Sequence, residues 1–174
     1  MDGNRGFMIL THRASAATTT VSYWADSRSL AARQDRLARI HHGRVVGDSP
    51  LNIEHFDIAV SRRLRVPGST AIALMTRLVC SPAGISRTVA FYRADVFAAL
   101  QASRGLCSAE LFLAGLTGNG SALTIWDNDD DATAAWRLFH QLAARAAETL
   151  GIEYFGLQVF DRVLGSSPSE TEEW

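Results

Sequence analysis

The residues of this chain able to do chemistry are few, and the most suggestive of them fall in a short repeat. His55 and Tyr154 hold matching places in residues 52–63 (NIEHFDIAVSRR) and 151–162 (GIEYFGLQVFDR), related by an offset of 99 (151 − 52). Each alternates with an apolar set, Phe56/Ile58/Val60 in the first copy and Phe155/Leu157/Val159 in the second. In a β-strand, alternation sends them to the opposite face. If helices cover the apolar face, His55, Tyr154 and Gln158 look into the interior, where a polar group among apolar walls orients a ligand. Two other clusters have simpler explanations. His41-His42 could ligate a metal or haem, but a pair at a helix C-terminus is also favoured by the helix dipole. The acidic run from Asp127 to Asp131 could hold a cation, yet its place at a helix start accounts for it. No serine-hydrolase elbow, Walker loop, dinucleotide fingerprint or zinc-ligand spacing occurs, so no metal site is expected.

The elements that must position these residues are clearest over residues 123–160: strand, acidic turn, long helix, short turn, strand. Ala132, Trp136, Phe139, Ala143, Ala146 and Leu150 recur at steps of 4, 3, 4, 3 and 4, one continuous helical stripe. Asp127 and Asn128 are both suitable N-caps, and Gly151 a helix stop. Trp126, at the end of the preceding strand, and Trp136, in the stripe, suit packing under the helix. Upstream, a strand over 70–80, a turn and a helix over 86–104 with Tyr92 in its buried stripe are expected. A strand over 106–116 and a hairpin turn at 117–120 follow. This gives βαββαβ, the ferredoxin-like order.

The first part of the chain echoes the second. Strands over 6–13 and 18–24, a helix over 28–42 and a closing strand over 54–66 give ββαβ. Its strand ending in Trp24, followed by an acidic cap, repeats the Trp126 arrangement. We therefore expect an α+β protein of two tandem modules, residues 1–66 and 70–164, parted at Pro67-Gly68-Ser69, with a disordered tail over 165–174. The first module lacks its opening strand and helix, leaving a face suited to homodimerisation.

The strand ending in Trp126, its acidic helix start (LTIWDNDDDATAAW) and the strand before it resemble the antibiotic-biosynthesis-monooxygenase superfamily of dimeric α+β barrels. The resemblance covers most of residues 70–164 and, more weakly, 6–66. It implies sheets facing one another in a barrel. It also implies a cofactor-free oxygenase, in which a pocket group ionises an electron-rich phenolic substrate and the substrate carbanion reduces dioxygen. On that footing His55 is the candidate base, suited to neutral pH. Tyr154 and Tyr23 are its candidate hydrogen-bond partners, and Trp24, Trp126, Gln158 and Tyr92 are candidate substrate contacts. The partners would be a small aromatic molecule and dioxygen, with no cofactor. Haem is the alternative: relatives that degrade it carry a helix Trp and, about ten residues on, an iron-ligating His. Here Trp136 matches, but position 146 is Ala, and in the first module His41 and His42 have no such Trp before them. A non-catalytic binding or assembly module is the third reading.

Composition is compatible with all three. A chain of 174 residues, 47% hydrophobic, can bury a core. A net charge of −1 gives no reason to expect nucleic acid or membrane as partner. All 17 basic residues are Arg, so a Schiff-base or phosphate-loop Lys is ruled out on this chain. Cys80 and Cys107 are expected as buried free thiols, and the location as cytoplasmic.

Overall fold

The computed structural model describes residues 3–31 and 54–166. Among the described residues, seven strands, all antiparallel to their neighbours, form one sheet. They are β1 (Asn4–His12), β2 (Thr18–Trp24), β3 (Asp57–Arg63), β4 (Ile72–Val79), β5 (Leu106–Leu113), β6 (Asn119–Trp126) and β7 (Glu153–Ser166). The order across the sheet is β2-β1-β7-β4-β6-β5-β3. Its central four strands, β7-β4-β6-β5, stand in the 4-1-3-2 order of a ferredoxin-like sheet. The β1–β2 hairpin extends one side through β7, and β3 extends the other through β5.

Helices cover the outer face. α1 (Ile85–Phe91) and α2 (Phe97–Gln101) are joined by a π-helical turn at Tyr92–Val96. α3 (Asp129–Ala134) and α4 (Trp136–Leu150) meet at Ala135. The sequence pattern calls for one unbroken helix here. The break at Ala135 resets the buried stripe to Ala132, Ala135, Leu138, Phe139, Leu142, Ala146 and Leu150. Trp136 is consequently not in the core but 41% exposed, edge-on to His140. Asn128 is the working cap, its side-chain oxygen accepting from the Asp131 backbone N–H at 2.9 Å. Gly151 ends α4 in the left-handed conformation, φ 66°, which glycine adopts without strain.

Alternation along the strands divides the core in two. Leu74, Leu78, Ala109, Leu111, Leu113 and Trp126 face the helices. Met8, Leu10, Tyr23, Ala73, Phe112, Leu123, Ile125 and Phe160 pack together on the opposite, inner face. That inner cluster unites β2, first in the sheet order, with β5, sixth. A flat sheet would hold those strands some 24 Å apart, five spacings of about 4.8 Å. The sheet is therefore strongly curled, with an apolar cluster packed in part of its concave side.

Both ends of the chain's strand–Trp–cap unit show the same local bonding. Trp24 donates its indole N–H to the Ser22 hydroxyl, and Trp126 to the Thr124 hydroxyl, each two residues back. Asp26 accepts from the Ser29 backbone N–H as Asn128 does from Asp131. A helix begins at Ser27, but the remainder of the span expected to be helical, with His41 and His42, lies outside the described residues. Of the tail expected to be disordered over 165–174, Gly165 and Ser166 instead close β7, and the rest lies outside the described residues. Among the described residues, no helix is long and apolar enough to cross a membrane.

Candidate functional site

The concave face carries two polar features. The first is a cavity of about 390 Å³ at one end of the sheet. It forms where the segment leading into β3 meets the end of β4, the β5–β6 hairpin and the start of β7. Glu54, His55, Phe56, Arg77, Asn119 and Phe155 are among its walls. Arg77 closes an ion pair with Glu54, Nη1 to Oε1 at 2.5 Å, and both side chains are partly exposed. Phe155, 52% exposed, stands beside Arg77 in the β4–β7 ladder.

Phe155 reaches this face because of a β-bulge. The ladder pairs Thr76 with Leu157 and Arg77 with Phe155, so Gly156 is an extra residue on β7. Its φ of 61° is the left-handed geometry such a bulge needs, and a Cβ there would meet nothing within 4 Å. Glycine is required by the backbone, not by crowding. Thr76 Oγ1 donates to the Gly156 carbonyl at 2.6 Å and holds the bulge in place.

The bulge also corrects the expectation for Tyr154. Unbroken alternation would turn it inward, opposite Leu157 and Val159. The extra residue puts it on their side instead, packed against the helix-covered core. There its hydroxyl lies 3.2 Å from that of Tyr92. Burial raises the pKa of both phenols above the ordinary tyrosine range; for Tyr92 the neighbouring Tyr154 adds to the rise. Trp126 is likewise fully buried under α4, edge-on to Phe139. Tyr92, Tyr154 and Trp126 therefore stand on the helix side of the sheet, away from the cavity. Trp24 alternates with inward Tyr23 on β2 and lies on that outer side too. Gln158 pairs with inner-face Met75 and is exposed.

The second feature is a clasp across the concave side. Tyr23 on β2 donates its hydroxyl to Glu110 Oε2 on β5 at 2.6 Å, and each residue is 2% exposed. Burial first, then the Glu110 carboxyl, pushes the Tyr23 phenol far above its usual range. Phe112 packs on the same tyrosine, ring centroids 6.4 Å apart. The pair sits deeper than the cavity and is not among its walls. Glu110 was not anticipated from sequence, although a lone acid inside the apolar run LCSAELFL is the signal that could have singled it out.

The remaining chemistry-bearing residues are engaged elsewhere. Asp127 accepts from the Cys107 thiol at 3.0 Å and pairs with Arg65 at 2.8 Å. Burial, and then that bond to Asp127, push the Cys107 thiol up to about 12. Cys80 and Cys107 are buried and unlinked. Asp129 pairs with Arg13, and Asp131 accepts from Asn128 and lies near Arg104. Among the described residues, no three His, Cys, Asp or Glu side chains converge as a metal site. Ala146, where a haem-ligating His would fall relative to Trp136, is fully buried against the sheet.

No family model matches this sequence. The chain is similar to two curated proteins, "Uncharacterized protein MT2635" and "Uncharacterized protein Rv2558", from two strains of Mycobacterium tuberculosis. Identity to each is 28% over 114 residues, 65% of this chain and 48% of theirs. The chain thus spans about half the length of the curated relatives it matches. Three solved structures share the fold. "Putative monooxygenase (FN1347)" from Fusobacterium nucleatum subsp. nucleatum aligns with a TM-score of 0.69 at 11% identity, over 99% of this chain and 83% of its own. An "anthrone oxidase-like protein" aligns at 0.65 and 13% identity, over 97% and 81%. A "putative monooxygenase" from Lactobacillus acidophilus NCFM aligns at 0.64 and 5% identity, over 93% and 79%. At these identities the likeness is one of fold: a mixed α+β chain with a curled antiparallel sheet.

Proposed function

We propose that this chain is a two-module relative of the antibiotic-biosynthesis monooxygenases and oxidises a small, electron-rich hydroxyaromatic with dioxygen, using no metal or flavin. The observation that carries the reading is the aromatic-walled cavity on the concave face with His55 in its lining. The names of the three structural neighbours support the same reaction class. The two-module reading, 1–66 and 70–164, is supported by the matched Trp and cap bonds and by the reciprocal placement of β3 on β5 and β7 on β1.

In this reading Phe56 and Phe155 hold the ring and His55 takes a proton from the acidic C–H or O–H of the substrate. The carbanion passes one electron to dioxygen, the two radicals combine at carbon, and a hydroperoxide forms. Loss of the second C–H proton with cleavage of the O–O bond leaves a ketone and water. One oxygen atom ends on carbon and the other in water. Both electron pairs come from the substrate, so no external reductant enters.

Oxygen uptake with anthrone, without added cofactor and corrected for spontaneous oxidation, tests the proposal. Replacing His55 by Ala should lower the rate about a hundredfold, the usual lower size of a general-base effect. Replacing His41 and His42 together should change it little. Uptake no faster than the spontaneous rate would leave a binding or assembly module. A Soret band on titration with hemin, lost in the His41/His42 double variant, would favour haem instead.

A further inference from the structure

The substrate cavity of the proposed reaction contains a residue that the reaction itself does not use, Arg77. We infer that the cavity selects planar aromatics bearing a carboxylate, with Arg77 as the anion's partner. This rests on the cavity being the substrate site.

Three observations point the same way. Arg77 sits on the inner face two residues beyond Met75 and lines the cavity. Its partner Glu54 lines the cavity as well, and the ion pair is half in solvent, with side-chain exposures of 50% and 36%. A pair this exposed is weak, so a ligand carboxylate can replace Glu54 at the guanidinium with little net change. The planar guanidinium also suits a carboxylate in a two-pronged contact.

The second observation is the exposed Phe155 beside it. A half-exposed Phe is ordinary on its own, but this one is held there by construction. The Gly156 bulge turns it toward the cavity, and Thr76 secures the bulge. Bulges commonly re-aim a side chain next to a site. The third is the disposition of Phe56 and Phe155 as aromatic walls with Arg77 between the strand ends. Aromatic surface and a fork of N–H donors then address the two halves of one ligand.

The test is equilibrium binding of 2-naphthoate against its neutral counterpart 2-naphthalenemethanol, followed by ligand fluorescence. The parent protein should bind the naphthoate about threefold more tightly, the size of a half-exposed ion pair that must displace Glu54. Arg77→Met should abolish the preference while leaving alcohol binding within about twofold. Glu54→Gln should strengthen naphthoate binding by removing the competing carboxylate. Phe155→Ala should weaken both ligands alike. All three side chains are partly exposed, so the variants should keep the parent's thermal midpoint to within a few degrees.

Equal binding of the two ligands, binding of neither, a preference that survives Arg77→Met, or a Glu54→Gln variant that binds naphthoate less well would each overturn the inference. The measurement needs no turnover. A protein that binds naphthoate through Arg77 yet consumes no oxygen would sink the oxygenase reading alone. Turnover of anthrone without any naphthoate preference would sink the anion selectivity alone.

Discussion

Replacing Tyr23 by Phe removes one oxygen atom from the interior and should loosen the curl of the sheet. The ring keeps its place against Phe112, so the apolar contact is retained and the loss isolates the hydrogen bond to Glu110. That bond is 2.6 Å long between residues each 2% exposed. A hydrogen bond to a charged group contributes roughly 1.5–3 kcal/mol. We expect a loss of about 2 kcal/mol. With a urea slope of about 2 kcal/mol per molar, the unfolding midpoint should fall by about 1 M, the slope itself unchanged. Amide hydrogens of β2, the strand joined to the sheet through β1 alone among the described residues, should exchange faster. Glu110→Leu should cost more, because it strands the phenol. The double variant Tyr23→Phe/Glu110→Leu should cost less than the two single losses added together. A Tyr23→Phe protein within about 0.5 kcal/mol of the parent, or strictly additive losses, would refute the clasp.

Two further outcomes follow from the same geometry. The three tyrosines, Tyr23, Tyr92 and Tyr154, all have pKa values raised in the folded protein. Their stabilising effect is complete below pH 10, the unfolded tyrosine pKa, and is lost as pH rises above it, by about 1.4 kcal/mol per pH unit for each fully buried phenol. An alkaline titration should show phenolate absorbance appearing together with loss of the far-ultraviolet circular dichroism signal; phenolate formed while the fold persists would contradict it. Asn128→Ala removes the cap on α3 and should cost about 1 kcal/mol, lowering the thermal midpoint by roughly 2–4 °C. Asn128→Ser, which keeps an acceptor for the Asp131 N–H, should restore most of it, whereas Asn128→Asp should not, because its carboxylate would replace the amide N–H that Asp131 accepts from. An Ala variant as stable as the parent would show the cap is dispensable.

Local chemistry in the sequence was enough to place the strands and the helix-covered face and to narrow the cap to Asp127 or Asn128, between which the structure decides. β-branched and aromatic runs, Asn128 before an acidic turn, and Gly151 after the last apolar position each act through their immediate neighbours. The ferredoxin-like order of the central strands was legible for the same reason, since βαββαβ admits few arrangements. Break points were not legible. Ala135 interrupts a helical stripe that looks continuous, and the Gly156 bulge reverses alternation, sending Tyr154 to the helix side and Phe155 to the cavity. A single extra residue inverts every inference drawn from period 2 beyond it, and whether a glycine is bulged depends on the strand it pairs with. The cavity and the clasp belong wholly to the tertiary structure. Glu54 and Arg77 are 23 residues apart, and Tyr23 and Glu110 are 87 apart. Only the curl of a seven-stranded sheet, which no local pattern encodes, brings either pair together.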